Sequence, residues 1–395
     1  MKKTLGEGRI GALKTVARKG DAVACAQLSG LYEANAEPRK ALHWLRRAAT
    51  GGDVTATTRL GLWHLVGHHV AMDSAGGFRL VRRAADTGSD LALVLLATLH
   101  AGGIGTAASF GRAVDCLIGA ARRGNGRALG QLGFLLPEGE DFTTLRLALL
   151  RAAAIRGDRM ASRLLADGPP PLETGKALDW GRVREAAAAP GLTVSAKLDW
   201  RRKAPRIATS GRVLGDRICD YLIAAAGPYL QPATVNDAYR GEEIRDASRS
   251  NRAMGFWPVE SDVVIESVNR ALAGLIGLAP ETGEAAGILH YVPGQSYAPH
   301  HDYCDPALPV HVRQIAARGQ RIASLLVYLN DDYEGGETRF PALDWQFRGQ
   351  RGEALAFYNV SESGAIDPAT LHTGMPPTAG EKWLLSKWFR DRPRQ

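Results

Sequence analysis

The sequence has little cysteine and no long apolar run, and each shortage excludes a class of protein. Its four cysteines among 395 residues, Cys25, Cys116, Cys219 and Cys304, show neither paired spacing nor a metal-binding pattern, so no disulfide scaffold is predicted. No stretch is long and apolar enough to span a membrane, and residues 1–7 lack the apolar run of a secretory signal. We therefore expect reduced thiols, no membrane partner and a cytoplasmic location.

Acidic residues are outnumbered by basic ones. The chain has 41 Asp and Glu against 49 Lys and Arg, which gives a net charge of +8 and a pI near 9.4. This balance permits contact with acidic partners, so nucleic acid has to be considered. The basic residues are scattered, however, and no nucleic-acid-binding motif or basic-aromatic stripe accompanies them. We interpret the charge as a solvated basic surface and expect no nucleic-acid partner.

A repeated Ala-Ala-x-x-Gly pattern runs through the first part of the chain. Copies begin at Ala48, Ala84, Ala120 and Ala153, with a degenerate copy at 16–20, at intervals of 32, 36, 36 and 33 residues. Each glycine is followed eight positions later by a leucine, at Leu28, Leu60, Leu96, Leu132 and Leu165. A period in the mid-thirties, rich in alanine and leucine, is typical of helix-turn-helix units stacked into a solenoid.

Residues 10–166 resemble the Sel1-like repeats of the tetratricopeptide superfamily. The resemblance rests on segments such as 41–49, Ala-Leu-His-Trp-Leu-Arg-Arg-Ala-Ala, followed by Gly-Gly-Asp at 51–53. Such solenoids present a concave face. The resemblance implies a module that binds a peptide or protein substrate. The alternative is a structural or dimerising arm, in which Trp44 and Trp63 belong to the core.

Three consecutive prolines end the helical pattern. The segment 168–175, Gly-Pro-Pro-Pro-Leu-Glu-Thr-Gly, predicts a semi-rigid boundary. We therefore divide the chain into helical repeats at 1–167, a linker with a connector helix at 168–205, and a second domain at 206–395. The basic run 201–203 is interpreted as a solvated part of the connector. Helices are predicted near 180–189, 216–226 and 263–276.

The second domain carries His300-His301-Asp302, followed much later by His372. Because a strand points successive side chains to opposite faces, His300 and Asp302 can reach one ion while His301 points away. His372, 70 positions after Asp302 (372 − 302), is the predicted third ligand. Two imidazoles and one carboxylate leave positions open for a chelating keto-acid and oxygen, as non-haem iron(II) requires, and argue against structural zinc.

Lys382 follows His372 by ten positions (382 − 372), within the segment 380–389. The aromatic and apolar content of this segment predicts a strand. A buried ammonium there needs an anion, and we expect that anion to be the distal carboxylate of 2-oxoglutarate, with Tyr291 and Tyr328 as candidate hydrogen-bond donors from neighbouring strands. Together these residues indicate an iron(II)- and 2-oxoglutarate-dependent oxygenase.

The same segments resemble the prolyl 4-hydroxylase alpha-subunit type of oxygenase. Residues 291–303 read Tyr-Val-Pro-Gly-Gln-Ser-Tyr-Ala-Pro-His-His-Asp-Tyr. The segments 321–331, 335–341, 371–374 and 380–383 follow in family order. The resemblance implies a double-stranded β-helix (jelly roll) with buttressing helices, in which His300, Asp302 and His372 take the iron roles. It also implies the use of Fe(II), 2-oxoglutarate and O2, together with L-ascorbate.

Lysine rather than arginine at position 382 favours the prolyl-hydroxylase branch of this family. Ser324 stands where the family usually has threonine, and the segment 349–352 lacks the proline commonly found there; we expect neither departure to touch the ligands. Because iron and its co-substrate carry the hard chemistry, no separate catalytic base is expected.

The leading hypothesis is hydroxylation of a prolyl residue in a peptide or protein held by the repeats. A second reading keeps this chemistry but changes the target to another side chain or a small molecule. A third makes the chain a repeat-based adaptor whose oxygenase domain is vestigial or senses oxygen.

Overall fold

The structure, a computed structural model, describes residues 2–165, 178–188, 196–236, 242–257 and 259–393. The chain forms two compact units, Met1–Ala189 with Ser261–Glu266, and Pro190–Glu260 with Ser267–Gln395. The proline-rich boundary predicted at 168–175 lies outside the described residues. Of the described helices, none combines the length and the apolar character needed to cross a bilayer.

Consecutive helices that pack against one another build the first unit. In the described residues they are α1 Lys2–Arg18, α2 Ala22–Ala34, α3 Pro38–Thr50, α4 Val54–Val66, α5 Ser74–Asp86, α6 Asp90–Gly102, α7 Phe110–Arg122, α8 Gly126–Leu135, α9 Glu140–Ile155, α10 Arg159–Leu164 and α11 Trp180–Ala188. The last of these lies where the connector helix is predicted, and it packs against α7 and α8.

The Ala-Ala-x-x-Gly pattern marks the turn between two helices. In the copy that starts at Ala48, the Asp53 N–H donates to the Ala48 carbonyl at 3.0 Å, and Gly52 takes a φ of 90°. The Asp53 carboxylate caps α4 by accepting the Ala56 N–H at 2.7 Å. Glycine recurs because it alone adopts a positive φ at little cost, and a short polar side chain recurs as the cap. The equivalent caps are Asp21, Ser89, Asn125 and Asp158.

The leucine that follows each glycine lies in the next helix, except for Leu165, which directly follows α10. Four of the five are buried, namely Leu28, Leu60, Leu96 and Leu132. Trp44 and Trp63 are also buried, at 7% and 5% exposure. The predicted helical repeats are therefore confirmed, and these two tryptophans belong to the core.

Antiparallel strands build the second unit. They are β1 Asp199–Lys203, β2 Arg206–Ser210, β3 Gln231–Pro232, β4 Val235–Asn236, β5 Glu243–Ile244, β6 Arg252–Gly255, β7 Gly287–Tyr291, β8 Tyr297–His300, β9 Arg321–Tyr328, β10 Glu334–Gly335, β11 Thr338–Phe340, β12 Trp345–Phe347, β13 Ala354–Tyr358, β14 His372–Gly374, β15 Pro377–Ala379 and β16 Lys382–Arg390. The helices of this part of the chain are α12 Asp216–Ala226, α13 Val263–Leu275 and α14 Pro309–Arg318.

Two main sheets form the predicted jelly roll. The eight-stranded sheet has the order β1-β2-β13-β9-β16-β7-β6-β3, and the four-stranded sheet has the order β12-β11-β14-β8. Phe340 of β11 meets Phe357 of β13 edge-on, with ring centroids 5.3 Å apart. Both rings are fully buried, so the core lies between the two sheets.

The large sheet begins earlier than residue 206. β1 pairs with β2 from Asp199↔Thr209 to Lys203↔Arg206, so the basic run 201–203 is a strand of the sheet rather than part of a connector. All five residues of β1 are exposed, as expected for a solvated charge run. Exposed charged side chains on an edge strand also discourage pairing with another chain.

Candidate active site

His300, Asp302 and His372 converge in the four-stranded sheet. His300 ends β8, His372 begins β14, and the two residues are direct register partners. Their Nε2 atoms lie 3.7 Å from Oδ1 and Oδ2 of Asp302, respectively. Because β8 ends at His300, Asp302 lies on the following turn and not on the strand, but it still returns to the same side. His301 points away, with its Nε2 3.1 Å from the Pro368 carbonyl.

Backbone carbonyls fix the orientation of both imidazoles. Nδ1 of His300 lies 2.9 Å from the Ala298 carbonyl, and Nδ1 of His372 lies 3.0 Å from the Thr370 carbonyl. Since a carbonyl only accepts, each Nδ1 carries the proton and each Nε2 keeps its lone pair for a metal. Burial and the neighbouring His372 lower the pKa of His300 to about 3, so this imidazole is neutral at physiological pH.

Ser324 positions the carboxylate of the triad. Its hydroxyl donates to Oδ2 of Asp302 at 2.6 Å, and the Asn359 amide donates to the Ser324 oxygen at 3.1 Å. Burial alone would raise the pKa of Asp302, but His372, His300 and the Ser324 hydroxyl hold it below its usual value. The expectation that Ser324 does not touch a ligand was therefore wrong, because the pairing of β9 with β13 and the return of the chain at Asp302 are not visible in sequence.

Lys382 is fully buried at the start of β16. Its Nζ donates to the Gly336 carbonyl at 2.6 Å, and no carboxylate among the described residues forms an ion pair with it. Burial lowers the pKa of Lys382 to about 7. A buried ammonium without a counter-ion is costly, so this position is suited to receive an anion.

The two predicted tyrosines lie on the strands beside β16 but differ in what their hydroxyls do. Tyr291 is the register partner of Lys382 and lines the same cavity. The Tyr328 hydroxyl instead donates to the Phe347 carbonyl at 2.8 Å and contacts the Thr338 hydroxyl at 3.0 Å. Tyr328 is therefore not placed as a donor to a ligand in the cavity, because its proton is already used within the core.

One cavity of about 250 Å³ joins the triad to Lys382. Its walls include His300, Asp302, His372, Lys382, Tyr291, Arg249 and Tyr297. Sequence reasoning missed Tyr297, whose ring stacks on that of His300 with centroids 3.5 Å apart. A register shift pairs Tyr297 with Gly374 and His300 with His372, so residues three apart share a face. Simple alternation could not predict this irregularity.

The residues present fit iron(II) and 2-oxoglutarate. The ligand atoms of the triad lie within 4.8 Å of one another. This donor set leaves open positions and is typical of non-haem iron(II) oxygenases. Lys382 offers a buried cation at the other end of the same cavity. A dicarboxylate could thus meet a metal at one end and an ammonium at the other.

Comparison with known proteins agrees with this site. Residues 286–390 match the 2OG-Fe(II) oxygenase superfamily. Prolyl 4-hydroxylase 1 of Arabidopsis thaliana is 34% identical over 202 residues, which cover 48% of this chain and 70% of the relative.

Solved structures similar to each region are also known. The viral collagen prolyl hydroxylase of Paramecium Bursaria Chlorella virus-1 is 28% identical, with a TM-score of 0.36, and the match covers 47% of this chain and 95% of the other. A Sel1 repeat protein of Oxalobacter formigenes is 34% identical, with a TM-score of 0.28, and that match covers 30% of this chain and 91% of the other. From the sequence relationship, the chain belongs to the prolyl 4-hydroxylase family of 2-oxoglutarate- and Fe(II)-dependent dioxygenases.

Proposed function

We propose that this dioxygenase hydroxylates a prolyl residue of a peptide or protein, with His300, Asp302 and His372 holding iron and Lys382 holding 2-oxoglutarate. The observation that carries the proposal is the single cavity that joins a buried His-Asp-His triad to a buried lysine. The choice of proline rests on the Arabidopsis relative, which is named a prolyl 4-hydroxylase.

When bound, iron(II), 2-oxoglutarate and O2 supply the oxidation that replaces a substrate C–H bond by C–OH. The chain's own residues would bind the iron and 2-oxoglutarate and orient them. The carbonyls of Ala298 and Thr370 hold the two imidazoles with Nε2 inward, and the Ser324 hydroxyl fixes Asp302. The Lys382 ammonium would neutralise the distal carboxylate of 2-oxoglutarate. We further propose L-ascorbate as a reductant that keeps the iron in its active state.

Product mass tests the choice of target. The iron-loaded protein is incubated with 2-oxoglutarate and proline-containing peptides, and each peptide is compared with a copy in which alanine replaces proline. We expect one added oxygen atom on the proline peptide and none on the alanine copy. Oxygen added equally to both peptides would show that another side chain is the target. Turnover only with a free small molecule would exclude a peptide substrate.

We propose that the helical repeats hold the target by binding acidic groups of that target. Two clefts in this unit contain several arginines. One of about 480 Å³ is lined by Arg39, Arg46 and Arg47, and one of about 610 Å³ is lined by Arg79, Arg82 and Arg83 together with two aspartates, Asp73 and Asp86. Guanidinium groups favour carboxylates and phosphates as partners.

Charge reversal in the second cleft tests this role. We expect the double substitution Arg82→Glu and Arg83→Glu to raise KM for a long acidic target and to leave KM for a short proline peptide unchanged. Equal KM values for the long target in variant and parent protein would exclude this cleft.

We also propose a cytoplasmic location. All four cysteines are free thiols, which suits a reducing compartment. Cell fractionation with antibody detection tests it, and recovery of the protein in a secreted or membrane fraction would contradict it.

A further inference from the structure

A second group of two histidines and a carboxylate lies in the helical repeats. Glu33 is in the last turn of α2, and His68 and His69 form the turn that follows α4. Nε2 of His68 is 3.1 Å from Oε1 of Glu33, and the possible ligand atoms of all three residues lie within 4.8 Å of one another. The group therefore joins two successive helical pairs that are separated in sequence by about one repeat.

The imidazoles are held in place by their surroundings. The edges of both rings meet the buried indole of Trp63, at centroid distances of 5.1 Å for His68 and 5.0 Å for His69. The His68 N–H donates to the Trp63 carbonyl at 3.0 Å, which closes the turn. His69 has a φ of 58°, a left-handed conformation that is uncommon for a residue with a side chain and persists where neighbouring contacts impose it. The two ring centroids lie 3.7 Å apart, and the ring planes are tilted by 45°.

The carboxylate is also oriented. Arg59 pairs with Oε2 of Glu33 and packs over the Trp63 ring at 5.2 Å. Oε1 is thereby turned toward the imidazoles. Fixed outer partners of this kind are common around metal-binding carboxylates.

We propose that Glu33, His68 and His69 form a second metal site, which binds a divalent transition ion such as Zn²⁺ and links the first helical pairs of the repeats. This donor set lacks the thiolates of ordinary structural zinc sites, but two imidazoles, one carboxylate and a water molecule are a set that zinc and its neighbours in the first transition row accept. His68 and His69 are exposed, so water or a fourth donor completes the coordination. The site is separate from the triad of the second unit and needs no turnover to be detected.

Zinc binding to the full chain tests the proposal. The metal-free protein carries Asp302→Ala, which removes the carboxylate of the other triad, and is titrated with Zn²⁺ against a competing chelator. We expect one ion to bind, and the further substitution His69→Ala to weaken its affinity by at least about tenfold. The matched control is His43→Ala, which removes an exposed histidine that also lies beside a buried tryptophan; it should leave the affinity unchanged.

Thermal unfolding gives a second readout of the same site. Because a ligand that binds the folded chain stabilises it, Zn²⁺ should raise Tm of the Asp302→Ala protein and of its His43→Ala derivative, but not of its His69→Ala derivative. The proposal is overturned if His69→Ala leaves both zinc affinity and the Tm shift unchanged, or if His43→Ala reduces them as much as His69→Ala does.

Discussion

The two clusters of two histidines and one carboxylate share their donor atoms but differ in their surroundings. In the sheet unit, His372 and Asp302 have side chains only 6% and 5% exposed, and a buried lysine lines the same cavity. In the repeats, His68 and Glu33 are 45% and 32% exposed, and an arginine pairs with the carboxylate. The comparison teaches that donors alone define an ion site, whereas burial and a second charged group are needed to hold a co-substrate and exclude water.

Removing one ligand from each cluster should separate their roles most clearly. We expect Asp302→Ala to reduce succinate formation to the background rate without enzyme, because iron loses its only carboxylate ligand in that triad. His69→Ala should leave the rate unchanged. Both rates are measured with saturating iron and 2-oxoglutarate. A loss of activity in His69→Ala at normal iron content would break the proposed division between the two clusters.

Lys382 distinguishes the buried cluster from the exposed one. We expect Lys382→Met to raise KM for 2-oxoglutarate by about thirtyfold or more, since loss of one partner from a buried charge pair costs about 2 kcal/mol or more. Lys382→Arg retains the charge and should raise KM for 2-oxoglutarate by a smaller factor. Steady-state kinetics with varied 2-oxoglutarate measure both effects. An unchanged KM in Lys382→Met would show that the keto-acid is anchored elsewhere.

Substitutions at Ser324 test whether the hydrogen bond from its hydroxyl to Asp302 matters for iron binding. Ser324→Ala removes the hydroxyl that donates to Oδ2, and we expect iron affinity to fall by about 10- to 100-fold, as is typical of such outer contacts. Ser324→Thr keeps a hydroxyl and serves as the matched control. Iron affinity is measured by chelator competition. Equal affinities of the alanine and threonine variants would mean that the hydrogen bond does not position the ligand.

The pH profile should report the buried lysine. Because burial lowers the pKa of Lys382 to about 7, the free enzyme loses the ammonium as pH rises above that value. We expect kcat/KM for 2-oxoglutarate to fall by about tenfold per pH unit above pH 7. In Lys382→Arg, this fall in kcat/KM above pH 7 should be much weaker. A wild-type pH profile identical to that of Lys382→Arg would show that Lys382 does not cause the fall.

The lowered pKa of Lys382 has the opposite effect on the folding stability of the unliganded protein. Between pH 7 and the usual lysine pKa, the unfolded chain holds a proton on Lys382 that the folded chain lacks. This residue's contribution to folding stability therefore rises with pH in that window.

The smallest expected effects separate the two tyrosines. Tyr291→Phe should raise KM for 2-oxoglutarate by roughly fivefold, as for one lost hydrogen bond of about 1 kcal/mol. Tyr328→Phe should leave KM unchanged but lower Tm, because the buried Thr338 hydroxyl and Phe347 carbonyl lose their partner. Kinetics and thermal unfolding of both variants check this. A raised KM in Tyr328→Phe alone would reverse the two roles.

Sequence reasoning succeeded where a local rule controls the structure. The repeat turns follow from glycine at positive φ and a polar cap. His300 and His372 were identified from the order and spacing of the motif, and the aromatic and apolar content of the segment 380–389 predicted the strand that begins at Lys382. It failed where the structure depends on pairing between distant strands. The contact of Ser324 with Asp302, the stacking of Tyr297 on His300 and the internal hydrogen bonds of Tyr328 all depend on register, bulges or turns.

The most direct test of the central claim is oxygen-dependent succinate formation from 2-oxoglutarate by the iron-loaded protein, with proline-containing peptides added in parallel. The account predicts turnover that rises with particular peptides and disappears in Asp302→Ala. Absence of turnover in the wild-type protein, despite bound iron and every peptide tried, would contradict it and favour a repeat-based adaptor with an inactive oxygenase domain.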